Sequence, residues 1–538
     1  MAKEFWVIDS ETDPFEWDAE IKPFIWGAYN GKQYVEFETA LEMVEFFAYK
    51  NCYVYAHNGG NFDYTFFTDM IEYGQKISFI NNRLSSFKIG EATFRDSWNI
   101  LPTSLSNMEK MEFDYTKLRR DVRYKYMAEI REYLKSDCIN LYKFVKGFVD
   151  IHGHKITLAS AAFTYFFKQK KIKKPRGIAK FYDEFKKFYY GGRTECFQKG
   201  IFETNLTYLD INSAYPFVMS ELDHPYGFNY IESSSIIDSK LNKSFIDIDC
   251  ISEGALPFRN YKTIDGEKNL DFYDEFSEGL HFPHMKGRFF ISGHEFKAGL
   301  ETNTLKDIKI NRVYIFNETI NFKEYVDYFF KLKADSKGKS KVQYTLAKLF
   351  MNALYGKFAM NPNDHTLDFF HAYGRSPFPL DENKEDSPLL YPSKDMGTGQ
   401  VYSCKKLPED MVFYNICTAA SITGAVRAFL HKSIKSCENV FYCDTDSIIC
   451  EKHNLKISDK LGDWDIEGYG NMIGVGGKKM YAVKMNDGTW KTASKGVKFT
   501  HDEILRVCSG ETVPYYNPVP RFRLDGQQIY TKRNVKMT

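Results

Sequence analysis

Val440-Phe441-Tyr442-Cys443-Asp444-Thr445-Asp446-Ser447-Ile448-Ile449 places two apolar, β-forming runs on either side of an acidic tip. The pattern is that of a β-hairpin carrying carboxylates. In an extended backbone side chains alternate between faces, so Asp444 and Asp446 are expected on one face. Taken alone, Asp-Thr-Asp-Ser also reads as a polar turn, and its apolar flanks argue for the hairpin.

Upstream, Leu206-Thr207-Tyr208-Leu209-Asp210-Ile211-Asn212-Ser213-Ala214-Tyr215-Pro216 reads as a strand ending in an acid, then a turn and a helix start. Asp210 would complete a carboxylate set suited to two divalent cations. Between these stretches, residues 342–358 form a helix with Leu346, Leu349, Ala353 and Phe358 as its apolar stripe. Lys348, Asn352 and Tyr355 recur at i, i+4, i+7 on a different face. A cation, an amide and a phenol so spaced suit a nucleotide: phosphates, polar groups and sugar in turn. Further on, Gly476-Gly477-Lys478-Lys479-Met480-Tyr481 offers Lys479 and Tyr481 on one strand face, suited to a primer terminus.

A second acid group lies near the N-terminus. Trp6-Val7-Ile8 runs into Asp9-Ser10-Glu11, with Asp9 and Glu11 on one face. His57-Asn58-Gly59-Gly60-Asn61-Phe62-Asp63 places another acid at the start of a helical segment, and either Asn58 or Asn61 is its functional amide. Tyr133-Leu134-Lys135-Ser136-Asp137 puts a phenol and a carboxylate one helical turn apart. Four acids and a tyrosine are the outfit of two-metal phosphodiester hydrolysis, with Tyr133 orienting the nucleophile. Hard Mg²⁺ or Mn²⁺ is the expected cation in both groups, because both offer oxygen ligands.

At 538 residues the chain is too long for one core and predicts several domains. Apolar residues at 43% and charged residues at 27% supply a packed interior and argue against wholesale disorder. Lys and Arg number 72 against 71 Asp and Glu, so a polyanion must be held by local charge. The N-terminal residues show no signal-peptide pattern, and no apolar stretch is long enough to span a bilayer. The ten cysteines form no CxxC pair and read as reduced thiols. Residues 168–177 are basic and read as a solvated linker or a phosphate contact, and residues 362–399 read as a long irregular insertion.

In this order, these motifs resemble the family B DNA polymerases, and within them the protein-primed subgroup of bacteriophages and linear plasmids, over nearly the whole chain. The resemblance implies a mixed α/β and α+β multidomain protein. It has an RNase H-like 3′-5′ exonuclease domain (1–155), a basic linker (156–190) and a right-hand polymerase domain (191–538). Within the last, it implies palm at 191–256 and 400–485, fingers at about 323–361 and a small thumb at about 486–538. It also implies two insertions: about 257–322, contacting a priming protein, and about 362–399, serving processivity and strand displacement.

The same resemblance assigns roles. Asp9, Glu11, Asp63 and Asp137 would hold the exonuclease metals with Tyr133 beside them, and Lys117 looks like the subgroup's extra exonuclease lysine. Asp210 and Asp446 would hold two polymerase metals, with the Ile211 carbonyl as a further ligand and Asp444 in support. Tyr215, Lys348, Asn352 and Tyr355 would bind the deoxynucleoside triphosphate, Tyr215 rejecting a 2′-hydroxyl. Asn58, Phe62, Tyr189, Gly191, Gly192, Thr423, Arg427, Lys479 and Tyr481 would touch DNA. Ala214 and Ala353 depart from the family's usual Leu and Ser. The implied partners are template and primer DNA, a terminal protein and a single-stranded DNA-binding protein. The implied setting is a monomer in the cytoplasm of a bacterial host. The competing readings are a nuclease whose second half only grips DNA, and a noncatalytic DNA-binding factor.

Overall fold

The computed structural model describes residues 4–72, 75–81, 83–104, 111–259, 279–360, 413–523 and 527–538, with the strands at 367–372, 391–392 and 400–406. The strand Phe5–Thr12, apolar on both faces as far as Ile8, lies inside an N-terminal sheet. It pairs parallel with Tyr53–Ala56 and antiparallel with Pro23–Tyr29; Tyr53–Ala56 in turn pairs parallel with Ala92–Asp96. Past Ala92–Asp96 come Arg83–Ile89 and Lys76–Ile80, and onto that edge strand the later segment Leu367–Ala372 adds antiparallel. Gln400–Lys406 and Tyr391–Pro392 extend the sheet further, so ten strands are continuous. Residues 362–399 are thus not wholly irregular, and the boundary expected at 399 falls before a strand that belongs with them. The rest of that stretch lies outside the described residues.

The helix Met127–His152 buries Ile130, Leu134, Leu141, Phe144, Val145 and Phe148. A 3-10 turn, Arg123–Lys125, leads into it. One side covers the N-terminal sheet; the other meets the helix Lys341–Phe358, where His152 stacks on Phe350 at 4.2 Å. A single apolar core therefore spans both halves of the chain.

The expected linker at 156–190 is largely folded. The helix Leu158–Lys170 buries Phe163, Phe166 and Phe167, and Phe166 packs on Phe322 at 4.9 Å. Its aromatic face outweighs the charge of the basic run that follows, since each buried ring contributes about 2 to 3 kcal/mol.

A seven-stranded antiparallel sheet forms the centre, in the order Trp490–Ser494, Met480–Met485, Trp464–Gly477, Gly200–Ile211, Ser447–His453, Cys437–Asp444, Thr194–Cys196. Behind it lies the helix Ile416–Lys435, buried over most of its length. A four-stranded sheet, ordered His224–Ser233, Leu305–Ile320, Ser244–Glu253, His284–Ser292, forms a module with the helix Gly293–Glu301. The expected boundary at 256/257 falls inside this module, because Ser244–Glu253 pairs with strands on the far side of it. The chain closes with the helix His501–Cys508 and two short hairpins, Val513–Tyr516 with Lys532–Val535 and Arg521–Phe522 with Gln528–Ile529.

Candidate active sites

In the central sheet Asp210 stands at the end of the middle strand, opposite Ser447 on one side and Asp465 on the other. The Ile211 amide donates to the Asp446 carbonyl at 2.7 Å, which ties the strand end to the acidic tip. Asp210 and Asp446 are brought together. Burial, then the Asp446 charge, pushes the Asp210 carboxyl up to about 7; Glu467 and Asp465 add to the rise and Lys348 opposes it. Burial, then Asp444, also raises Asp446. Such mutually destabilised carboxylates form a hard-oxygen set that a divalent cation would neutralise.

The hairpin is not extended through its tip. The strand ends at Asp444, Thr445 turns left-handed at φ +59°, and pairing resumes at Ser447 opposite Asp444. Asp444 and Asp446 therefore do not share a face by simple alternation. Asp444 is held by protein partners: Lys479 Nζ at 2.9 Å, and the Thr194 and Thr445 hydroxyls at 2.8 and 3.2 Å.

Tyr215, in the first turn of the helix Ala214–Glu221, stacks on Tyr355 with ring centroids 4.3 Å apart and planes within 3°. Lys348 and Asn352 lie two turns and one turn before Tyr355, and the Asn352 amide donates to the Lys348 carbonyl at 2.9 Å. The two rings and Lys348 flank the Asp210 end of the sheet.

Four expected DNA contacts are placed otherwise than the sequence pattern implies. Thr423 and Arg427 are fully buried, and the Arg427 guanidinium bonds to Glu295 and to the carbonyls of Tyr190 and Gly191. The guanidinium is spent on fastening its helix to the segment that also contains Tyr189 and Gly192. Lys479 occupies a left-handed turn at φ +58° between strands, so it does not share a strand face with Tyr481. The Tyr481 ring is buried against Tyr442 at 4.8 Å, and its hydroxyl lies 3.1 Å from that of Tyr208.

The N-terminal acids line a cavity of about 1200 Å³ together with Asn58, Asn61 and Phe62. Asp9 and Glu11 come from the first strand, Asp63 opens a 3-10 turn, and Tyr133 and Asp137 lie on the helix Met127–His152. Their fields converge on Cys138: burial pushes its thiol well up, and Asp9, Asp137, Glu11 and Asp63 add to the rise. Burial also raises Asp63, against a 2.6 Å hydrogen bond donated by Ser10. The Tyr133 hydroxyl lies 3.0 Å from that of Tyr115. Lys117 is paired with Glu129 at 2.5 Å and is not among the residues lining the cavity, in contrast to the expected exonuclease lysine. Among the described residues no three His, Cys, Asp or Glu side chains form a ready metal cage.

The far wall of this cavity comes from the other end of the chain. Lys498, Arg521, Phe522 and Arg523 line it. Phe522 meets Phe62 edge-on at 5.0 Å, and Gln528 clasps the Ile21 backbone, accepting at 3.0 Å and donating at 2.7 Å. Sequence spacing holds no signal for a wall supplied from so far away. Glu467 and Asp465 were detectable, as an alternating acid pair on a strand.

The chain matches the family model of DNA polymerase type B, organellar and viral, over residues 109–452. It is 33% identical to the DNA-directed DNA polymerase of Enterobacteria phage PRD1, over 98% of this chain and 97% of that one. Against the DNA polymerase of Bacillus phage phi29, identity is 26% over 63% of this chain and 55% of that one. The fold superposes on phi29 DNA polymerase complexed with primer-template DNA and incoming nucleotide with a TM-score of 0.73, at 18% identity and full coverage of both chains.

Proposed function

The chain belongs to the type B DNA polymerases of organelles and viruses and is a DNA-directed DNA polymerase; from that premise we propose that it extends a primer 3′-hydroxyl at Asp210 and Asp446 and trims DNA 3′ ends in the N-terminal cleft. The observation carrying the first assignment is the repelling pair Asp210 and Asp446 beside Lys348 and the Tyr215–Tyr355 stack. The central sheet is then the palm, including Trp490–Ser494 beyond the boundary expected at 485, the helices Lys323–Ser336 and Lys341–Phe358 are the fingers, and residues 495–538 the thumb.

Asp210, Asp446 and the Ile211 carbonyl would hold Mg²⁺ or Mn²⁺, two ions per site, which when bound supply charge neutralisation for nucleotidyl transfer. Lys348 draws in the triphosphate, and its charge stabilises the pyrophosphate that leaves. Tyr215, backed by Tyr355, forms the floor under the sugar and leaves no room for a 2′-hydroxyl. Lys479 holds Asp444 beside the metal-binding pair and faces the primer end. The Tyr189–Gly192 segment meets the template.

In the N-terminal cleft Asp9, Glu11, Asp63 and Asp137 would hold the second set of ions. There Tyr133 orients the attacking water, and Phe62 with Asn58 or Asn61 holds the unpaired 3′ end. We assign priming from a protein hydroxyl to contacts made by the 224–320 module, and strand displacement to the strands added to the N-terminal sheet. The PRD1 and phi29 relatives are phage proteins, which supports action in a bacterial host; we assign to the chain a monomeric state, with a terminal protein and a single-stranded DNA-binding protein as partners. Among the described residues no helix is long and apolar enough to cross a membrane.

The test is an end-labelled primer-template with a downstream blocking strand and Mg²⁺, with and without deoxynucleotides. Growth through the block with nucleotides, and 3′ shortening without them, is the expected result. Shortening alone would leave a nuclease and overturn the assignment of Asp210 and Asp446.

A further inference from the structure

The helix Ile416–Lys435 carries Arg427 and His431 one turn apart, and each joins the same two parts of the molecule. Arg427 Nε donates to Glu295 Oε1 at 2.8 Å, while its Nη1 donates to the carbonyls of Tyr190 at 2.6 Å and Gly191 at 2.8 Å. His431 Nδ1 lies 3.3 Å from Arg193 Nη1, and its Nε2 lies 3.0 and 3.2 Å from the Thr302 and Thr304 hydroxyls. Glu295 and Thr302 mark the two ends of the helix Gly293–Glu301 in the 224–320 module. Tyr190, Gly191 and Arg193 lie in the segment leading into the strand Thr194–Cys196, which pairs with the acidic hairpin.

That segment bears directly on the hairpin tip. A side chain at Gly192 would collide with the Thr445 hydroxyl. The Thr445 amide donates to the Arg193 carbonyl at 2.6 Å, and the Thr194 hydroxyl donates to Asp444 Oδ1 at 2.8 Å. On the other side, Glu295 Oε2 accepts from the Ser292 amide and hydroxyl at 2.9 and 2.8 Å, which leaves Oε1 for Arg427. Gly424, one turn before Arg427, is the close approach that permits this, since a side chain there would strike the Ser292 hydroxyl.

Both members of the Arg427–Glu295 pair are buried. A buried ion pair is a poor source of stability, because apolar residues of similar volume often do as well. What a forked guanidinium supplies is placement, through several directed hydrogen bonds from one rigid group. We propose that Glu295 is a positioning residue of the polymerase site: through Arg427 it fixes residues 190–193 against the tip of the acidic hairpin. The 224–320 module thereby helps to place Asp444 and Asp446, and His431 makes a second tie. A macromolecule that shifts the helix Gly293–Glu301 would change nucleotide addition without touching the acids. The inference rests on the polymerase reading above.

Glu295→Ala strands a buried charge and lowers stability outright. The discriminating protein is therefore the full chain with Glu295→Gln and Arg427→Met together. This double variant keeps an acceptor for the helix cap and removes both charges, along with the bonds to Tyr190 and Gly191. In single-turnover extension of a primer-template with Mg²⁺, the maximal addition rate is expected to fall roughly tenfold to a hundredfold. The half-saturating deoxynucleotide concentration should stay within about twofold, and 3′ trimming of single-stranded DNA and the melting midpoint should match wild type. An unchanged addition rate overturns the proposal; so does a defect carried only by nucleotide affinity. If addition, trimming and melting midpoint all fall together, Glu295→Gln alone decides, and a wild-type addition rate there overturns the proposal. A wild-type chain that adds no nucleotides removes the polymerase reading itself, and this inference with it.

Discussion

The two carboxylate groups are built in opposite ways. In the central sheet the acids stand on neighbouring strands, so hydrogen-bonded register alone brings Asp210 to the hairpin tip. In the N-terminal cleft they come from a strand, a 3-10 turn and a long helix, and the far wall comes from residues near 520. One site is a property of a sheet. The other is a property of the assembled chain, and perturbations far from its acids will reach it more readily.

The sharpest way to break the comparison is to remove acids from each group in turn. Asp446→Asn should cut nucleotide addition by roughly a hundredfold to a thousandfold or more, leaving 3′ trimming intact; primer extension and degradation on the same protein measure both. Asp9→Ala with Glu11→Ala should do the reverse, and persistent trimming would remove the N-terminal acids from the chemistry. Tyr215→Val should raise ribonucleotide use relative to deoxynucleotide by roughly tenfold to a hundredfold, read from competing incorporation. Phe522→Ala, which opens the wall against Phe62, should slow trimming of single strands by roughly severalfold with little change in addition. Equal loss of both activities would mean that the C-terminal wall serves stability instead.

The smallest effect expected is on stability. Burial pushes His224 down to about 4 and His294 and His431 down to about 3. The unfolded chain binds these protons near the ordinary value of 6.5, so it takes up more protons than the native state between 6.5 and about 4. The stability these three rings contribute is therefore full above 6.5 and declines as pH falls through that window, while the raised carboxyls of Asp210 and Asp63 act in the opposite direction. Thermal melting of wild type against His224→Gln at stepped pH isolates the histidine contribution, and a midpoint difference that stays flat between 6.5 and 4.5 would show that the ring does not stay neutral.

How far the residues could be read in advance follows from the same contrast. The hairpin, Asp210 and the Lys348-Asn352-Tyr355 helix face were legible because strand and helix periodicities are local. The left-handed Thr445 was not, since a single positive φ in a hairpin tip leaves no mark outside the two tip residues. Nor was the burial of Arg427, because its partner Glu295 lies in a separate module and a cation on a helix ordinarily faces water. The charge of residues 168–177 masked the phenylalanines beside them, which make 156–190 a part of the core. The four acids of the cleft were found by order and residue type, while its C-terminal wall depends on contacts that no spacing rule describes.

The strand Leu367–Ala372, laid on the free edge of Lys76–Ile80, has a consequence for how the molecule is made. An uncovered edge strand is a template for pairing with any other extended chain. On the ribosome the N-terminal sheet emerges first, and its edge stays open until the polymerase half is well under way. Contacts so distant in sequence form slowly, so this edge is the place where a growing chain is most exposed to mispairing. A shortened gene product that stops before residue 367 would be prone to aggregate even with every exonuclease acid in place.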